Sequence, residues 1–382
     1  MTDPAETALL PAGLQDLLPP DAEREAAVLG LLVSSFAASG YERIKPPLME
    51  FEDTLLSGAG RAVARESFRL MDPVSQRMMA LRADMTPQVA RIAATRLASA
   101  PRPLRLCYGG QVLRVRGGQL RPERQFAQAG AELIGAPQVA GDAEVVVLAA
   151  GALEAAGVRD LTVDLSLPPL VSAVTDGLGL DRAAATALRQ ALDRKDSAAV
   201  AALAGTDAAL FQALLRAAGP VAEAVPALQA LDLPEAAEGE IRGLTEVLAL
   251  IEASAPALRV TVDPVEHRGF EYQTGISFTV FADGLRGELG RGGRYSADGF
   301  GGAPETSTGF TLYMDTVLRA LPPAERRARL FLPAGTEAGR GQALRAEGWV
   351  TVDGLEVAED PMAEARRLLC SHILLDSQVR EL

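Results

Sequence analysis

Residues 111–132 read QVLRVRGGQLRPERQFAQAGAE, and how this stretch is read decides the fold. The run leading into it, PLRLCYGGQVLRV (103–115), is mostly apolar, and the run leaving it, ERQFAQAGAELIG (123–135), alternates as a strand with one buried face does. Two glycines and a proline between them supply turn conformations. The pattern is that of two long strands joined by a loop, an antiparallel hairpin. That loop gathers Arg114, Arg116, Arg121 and Arg124, although the whole chain carries 50 acidic against 37 basic residues and a formal net charge of −13.

Side chains alternate across a strand, so Gln128 and Glu132, four apart, share one face, with Arg114 on the facing strand. Arg82 and Asp84, Arg268 and Glu271, and Arg294 are further candidates at strand ends. Carboxylates beside a guanidinium suit a zwitterion, because an ammonium wants acceptors and a carboxylate wants a bidentate fork. A free amino acid is the simplest such ligand. The same residues on exposed strand faces would make weak surface ion pairs instead, and spacing alone leaves both readings open.

Composition narrows the alternatives. With 382 residues, 48% of them hydrophobic, the chain has material for two or three domains with real cores. Its acidity opposes a surface built for nucleic acid, which needs a basic face to displace counterions. The only lysines are Lys45 and Lys195, so a lysine nucleophile has almost no candidates. Cys107 and Cys370 lie far apart in apolar surroundings and read as buried thiols of a reducing compartment. The two histidines, His267 and His372, match no zinc spacing with them and stand in no G-x-S-x-G context, so neither a metal, a cofactor nor serine hydrolase chemistry is expected. No basic leader precedes an apolar segment, and 28–39 is too short to span a bilayer, so a cytoplasmic protein is expected.

Outward from the hairpin, DAEREAAVLGLLVSSFAASG (21–40) is a helix with acidic residues in its first turn and Gly40 as its stop. YERIKPPLMEF (41–51) is extended, and its two prolines place it at an edge. Residues 67–83 form a second hairpin turning at DPVSQ, followed by a helix over 84–100 with Thr86 and Pro87 near its start. A helix over 141–156 leads to the strand LTVDLS (161–166). Residues 168–255 turn alanine- and leucine-rich with helical periodicity and no strand signal, a helical insertion. Strands return in LRVTVDP, GISFTVFADG and RGELGRGGRY, and a last helix begins near STGFTLYMDTVLRAL. The glycine cluster GELGRGGRYSADGFGG contains no phosphate-loop pattern and reads as structural turns. After a linker, LPPAERRAR, short strands and helices alternate in a small α/β appendix. The expected domains are a core over 1–325 and an appendix over 326–382.

Seven segments occur in one order: PAGLQDLLP (11–19), GYERIKPPLMEF (40–51), ALRADMTPQVAR (80–91), the 111–132 hairpin, HRGFEYQTG (267–275), GRGGRY (290–295) and TGFTLYMDTVL (308–318). In these the chain resembles class II aminoacyl-tRNA synthetases, specifically histidyl-tRNA synthetase, over about residues 11–321. The resemblance implies an α+β fold, an antiparallel sheet flanked by helices, with a helical insertion where that family also inserts one. It also implies a histidine pocket: Asp84 and Thr86 near the ligand's amino group, Gln128 and Glu132 beside them, Arg114 at its carboxylate, and Arg268 and Tyr272 in the HRGFEYQTG segment. Gln273 replaces a tyrosine of that segment.

The departures fall on the nucleotide side. Where the synthetase motif places a glutamate that reads adenine, this chain has Arg116, and where an arginine holds the γ-phosphate it has Thr316. A cation cannot accept what the glutamate accepted, and a hydroxyl does not replace a guanidinium. A retained amino-acid pocket, altered ATP positions and a short C-terminal appendix resemble the regulatory-subunit family of ATP phosphoribosyltransferase. That resemblance implies a non-catalytic partner of a short catalytic subunit in the first step of histidine biosynthesis. It also implies a homodimer within a hetero-oligomer, formed through 40–51, with L-histidine as feedback effector and no tRNA or membrane partner. An active synthetase and an RNA-binding paralogue are the alternatives.

Overall fold

A computed structural model describes residues 9–118, 121–267, 273–297, 303–323 and 326–382. The chain divides into two compact units, one of Met1–Leu18 and Ala22–Pro322, the other of Pro19–Asp21 and Pro323–Leu382.

The larger unit is built on a nine-stranded sheet. Its strands are β1 (Glu42–Arg43), β5 (Leu104–Leu113), β6 (Gln125–Ile134), β7 (Leu161–Ser166), β8 (Gly219–Pro220), β9 (Arg259–Asp263), β10 (Gln273–Ala282), β11 (Gly290–Ala297) and β12 (Glu305–Tyr313). They lie in the order β1-β5-β6-β12-β11-β10-β7-β9-β8. Most neighbours are antiparallel; β1 runs parallel to β5 and β7 to β9. The expected hairpin is β5 and β6, paired from Leu104↔Ile134 to Leu113↔Gln125. The second hairpin, β3 (Arg69–Met71) and β4 (Met78–Leu81), forms a small sheet with β2 (Met49–Phe51). Its turn is closed by Asp72, which accepts from Val74 N, Ser75 N and the Ser75 hydroxyl.

Helices cover both faces. They are α1 (Asp21–Ala38), α2 (Glu52–Leu55), α3 (Thr86–Thr95), α4 (Val139–Ala155), α5 (Pro168–Gly177), α6 (Arg182–Asp193), α7 (Ser197–Ala204), α8 (Ala208–Arg216), α9 (Val221–Gln229), α10 (Glu235–Ser254) and α11 (Met314–Ala320). Helix α1 ends at Gly40, whose φ of 86° suits only a residue without a Cβ. The alternation of β6 divides the core. Ala127, Ala129, Ala131 and Leu133 join Leu32, Phe36 and the α4 residues in the large cluster on one face. Phe126 and Ile134 pack with Met85, Val89, Leu106, Tyr108, Val112 and Tyr313 on the other. Phe36, fully buried, meets Phe310 edge to face at 5.3 Å; burying a side chain of this size stabilises by about 2 kcal/mol.

Three expectations change. STGFTLY is strand β12, and the helix begins only at Met314: its threonines and aromatics fill a position between β6 and β11, where strand pairing on both sides overrides local preference. The glycines of GRGGRY lie in strand β11 rather than in turns; a Cβ at Gly292 would meet the Gly309 carbonyl and come within 2.6 Å of the Phe278 ring. The helical insertion contributes a two-residue strand, Gly219–Pro220, to the sheet edge beside β9. Within it, residues 197–216 are apolar and long enough to cross a membrane; Gly205, at φ 54°, breaks them into α7 and α8, whose Val200, Ala204, Phe211 and Leu214 are buried.

The smaller unit carries β13 (Arg329–Leu332), β14 (Val350–Asp353), β15 (His372–Leu375) and β16 (Gln378–Glu381) in the order β14-β13-β15-β16, with α12 (Ala338–Ala346) and α13 (Pro361–Arg367). β16, hairpinned onto β15, was not legible as a strand. Ala324 and Glu325 of the linker lie outside the described residues.

Candidate functional site

The face of the sheet bearing Gln128 and Glu132 holds a closely bonded group of polar side chains. Register sets it up. Glu132 on β6 stands opposite Gly309 on β12, which stands opposite Gly293 on β11. A Cβ at Gly309 would collide with Glu132 Oε2, so the missing side chain is the room in which the carboxyl lies. One step along, Gly130 lies opposite Thr311, which lies opposite Arg291. A Cβ at Gly130 would collide with the Tyr108 ring.

Glu132 is 1% exposed. The Thr86 hydroxyl donates to its Oε1 at 2.9 Å and the Tyr295 hydroxyl to its Oε2 at 2.9 Å. Tyr108 adds a longer contact at 3.5 Å and shares 2.8 Å with the Thr311 hydroxyl. Burial pushes the Glu132 carboxyl up to about 8, against the opposing pull of the Thr86 and Tyr295 donors. Asp84 lies next to it: Oδ1 accepts from Thr86 N at 2.8 Å and Oδ2 from Gln128 Nε2 at 3.2 Å. Gln128 is fully buried, yet its Oε1 has no partner among the described residues. Gln273 Nε2 donates to the Gly292 carbonyl at 3.2 Å, and its Oε1 is likewise buried without a partner. Two buried carbonyl oxygens without donors cost free energy unless a ligand or water answers them. Asp84, Thr86, Glu132, Gln273, Arg291 and Tyr295 line a cavity of about 40 Å³ here, room for one water-sized group such as an ammonium.

Beside it opens a larger cleft of about 650 Å³, lined by Arg114, Arg116, Arg121, Glu266, Glu288, Arg291 and Thr316 among others. Arg114 lines this cleft and not the inner cavity. Its Nε lies 3.3 Å from Glu66 and donates to the Ala83 carbonyl at 3.4 Å. Arg116 is exposed, and Thr316 is buried with its hydroxyl beside Asp315 and Arg319. Arg121 is folded back: its Nε donates to Asp315 at 3.0 Å and its guanidinium stacks 3.7 Å from the Tyr313 ring centre. Arg124 donates to the Ala12 and Arg114 carbonyls, tying the N-terminal segment to the hairpin.

Two members of the predicted constellation hold the fold together and do not line the cavity. Arg82 is 6% exposed and donates to the carbonyls of Gln111 and Pro46. Arg294, on the opposite face of β11 from Tyr295, grips Asp142 of α4 at 2.7 Å and caps the carbonyls of Pro137 and Gln138; Asp142 also accepts from Thr308. Arg268, Glu271 and Tyr272 lie outside the described residues. Tyr108, Tyr295 and Arg291 are pocket residues that sequence reasoning missed; Tyr295 and Arg291 stand four apart in GRGGRY, the spacing that revealed Gln128 and Glu132. Near the cleft, Asp164, Asp263 and Glu266 bring their oxygens within 4.8 Å of one another, where Lys195 reaches Asp263 and Thr261 donates to Asp164.

Comparisons with known proteins agree with the fold. The family described as histidyl-tRNA synthetase matches residues 13–317. An ATP phosphoribosyltransferase regulatory subunit of Rhodospirillum centenum is 58% identical over 98% of this chain and 96% of its own, and one of Paramagnetospirillum magneticum is 59% identical over 98% of both. The chain belongs to the ATP phosphoribosyltransferase regulatory subunit family. A solved structure from Bacillus halodurans, described as an ATP phosphoribosyltransferase regulatory subunit/histidyl-tRNA synthetase, superimposes with a TM-score of 0.81 at 25% identity, covering 96% of this chain and 97% of that one. Regulatory subunits of this family therefore share the synthetase-like fold, a mixed sheet flanked by helices.

Proposed function

We propose that this regulatory subunit of ATP phosphoribosyltransferase binds L-histidine in the Asp84–Glu132 pocket and transmits its feedback to a short catalytic subunit. One observation carries the reading: an acceptor-rich cavity around Asp84 and Glu132 sits beside a larger cleft lined by Arg116 and Thr316. Asp84, Glu132 and the Gln128 carbonyl offer acceptors to an ammonium, with Thr86 holding Asp84 and Glu132 in place. The ligand's carboxylate then points toward the arginine-lined cleft, and the resemblance adds Arg268 and Tyr272 to the ligand's contacts. With Arg116 and Thr316 at the two positions where the synthetase motifs place charged nucleotide contacts, the chain makes no aminoacyl adenylate.

Histidine regulates only if it binds one arrangement of the assembly more tightly than another. The chain works as a homodimer through 40–51 inside a hetero-oligomer, in the cytoplasm, without tRNA, with a core over 1–325 and an appendix over 326–382. The acidic composition supports the absence of tRNA binding. Calorimetry of L-histidine with the chain, alone and with the catalytic subunit, tests the reading. Saturable binding to either is the expected result; heat indistinguishable from dilution in both overturns it. Pyrophosphate exchange with ATP and histidine tests the lost activity, and exchange at an enzymatic rate contradicts it.

A further inference from the structure

Arg291 is the one residue that lines both the inner cavity and the outer cleft among the described residues. Its position on β11 fixes where it points. It lies opposite Thr311, whose hydroxyl meets Tyr108 on the pocket face, and four residues from Tyr295, whose hydroxyl reaches Glu132. Between Arg291 and Tyr295, Gly293 leaves the strand bare; a Cβ there would come within 2.7 Å of the Gln273 amide. Glu132 is two strands and two residues away, roughly 12 Å from backbone to backbone by sheet geometry. An arginine side chain from one side, a glutamate from the other and one small zwitterion between them span that distance.

We propose that Arg291 is the carboxylate-recognising residue of this pocket, selecting a free α-carboxylate and exchanging its ion pair with Glu288 for the ligand. The inference rests on the histidine reading. Arg114, tied to Glu66 and the Ala83 carbonyl at the base of the hairpin, faces only the outer cleft. The Glu288 carboxylate already pairs with the Arg291 guanidinium and marks where an anion sits against it. A ligand carboxylate of the same charge and shape takes that place, with its ammonium toward Glu132 and Asp84. Esters, amides and decarboxylated amines of the same side chain keep the ammonium and lose this contact.

The test titrates L-histidine and L-histidinamide into the full chain and into its R291Q, R114Q and E288Q variants, with circular dichroism confirming the fold of each. The wild-type chain should prefer histidine over the amide by about tenfold to a hundredfold. R291Q should collapse that preference to near unity, and R114Q should leave it in place. E288Q, which removes the competing carboxylate, should tighten histidine several-fold without moving the amide, and it decides the matter should R291Q not fold. A preference that survives R291Q, or that E288Q leaves unchanged, overturns the role of Arg291. If the wild-type chain binds neither compound, the histidine reading itself falls, and this inference with it.

Discussion

Glu132 is the most consequential single residue, because its carboxyl is buried at the centre of the pocket and pushed up to about 8. A carboxyl whose folded value exceeds its unfolded one favours the folded state fully at low pH and loses that contribution as pH rises toward the folded value. The window therefore runs from the ordinary carboxylate range near 4.5 up to about 8, with a slope of about 1.4 kcal/mol per pH unit inside it. Glu132→Gln, which mimics the protonated form, should be increasingly more stable than the wild-type chain from pH 5 to 8 and level off above; urea midpoints at three pH values check this, and parallel curves contradict it. An ammonium beside Glu132 draws the carboxyl back toward ionisation, so histidine binding should release a proton and strengthen across the same window. Calorimetry in buffers of different ionisation enthalpy reads that proton directly. Gly309 makes the second residue-scale prediction: Gly309→Ala drives a Cβ into Glu132 Oε2 and should abolish histidine binding at a stability cost of about 1–3 kcal/mol.

At the scale of elements, the β5–β6 hairpin was readable because its alternation and its glycine-bearing loop agreed with each other, and strand periodicity alone put Gln128 and Glu132 on one face. Strand β12 was not, because TSTGFTLY runs straight into the helix at Met314 and its strand character comes from β6 and β11 on either side. The same lack of tertiary information misassigned Arg294. In sequence it is one more arginine near a glycine cluster; in the fold it fastens β11 to α4 through Asp142, whose side chain is 4% exposed. Arg294→Met strands that carboxylate and should cost about 3–5 kcal/mol in urea unfolding, whereas Asp142→Asn with Arg294→Met should recover part of it. A loss below about 1 kcal/mol would show that the pair is solvated in solution. Arg291 escaped for a different reason: only sheet register reveals that it shares the Glu132 face.

For the whole molecule, the family relation joins a synthetase-like fold to a regulatory role, and the two cavities suggest how. The acceptors around Asp84 and Glu132 remain, while Arg121 is bound internally by Asp315 and Tyr313 in the neighbouring cleft. On the proposed reading an amino acid is held at the inner cavity without being activated. The net charge of −13 opposes a long-range attraction to RNA, so a gel shift with tRNA at physiological salt should show no complex at micromolar protein. The mainly antiparallel sheet was legible from colinear motifs; what the sequence could not display was which carboxylates the protein pairs with its own arginines. The most direct measurement is the rate of a short catalytic subunit with this chain, with and without L-histidine. The account predicts that the chain raises the rate and that histidine lowers it in the wild-type complex but not in one carrying Gly309→Ala. Inhibition by histidine that persists undiminished in the Gly309→Ala complex would contradict it.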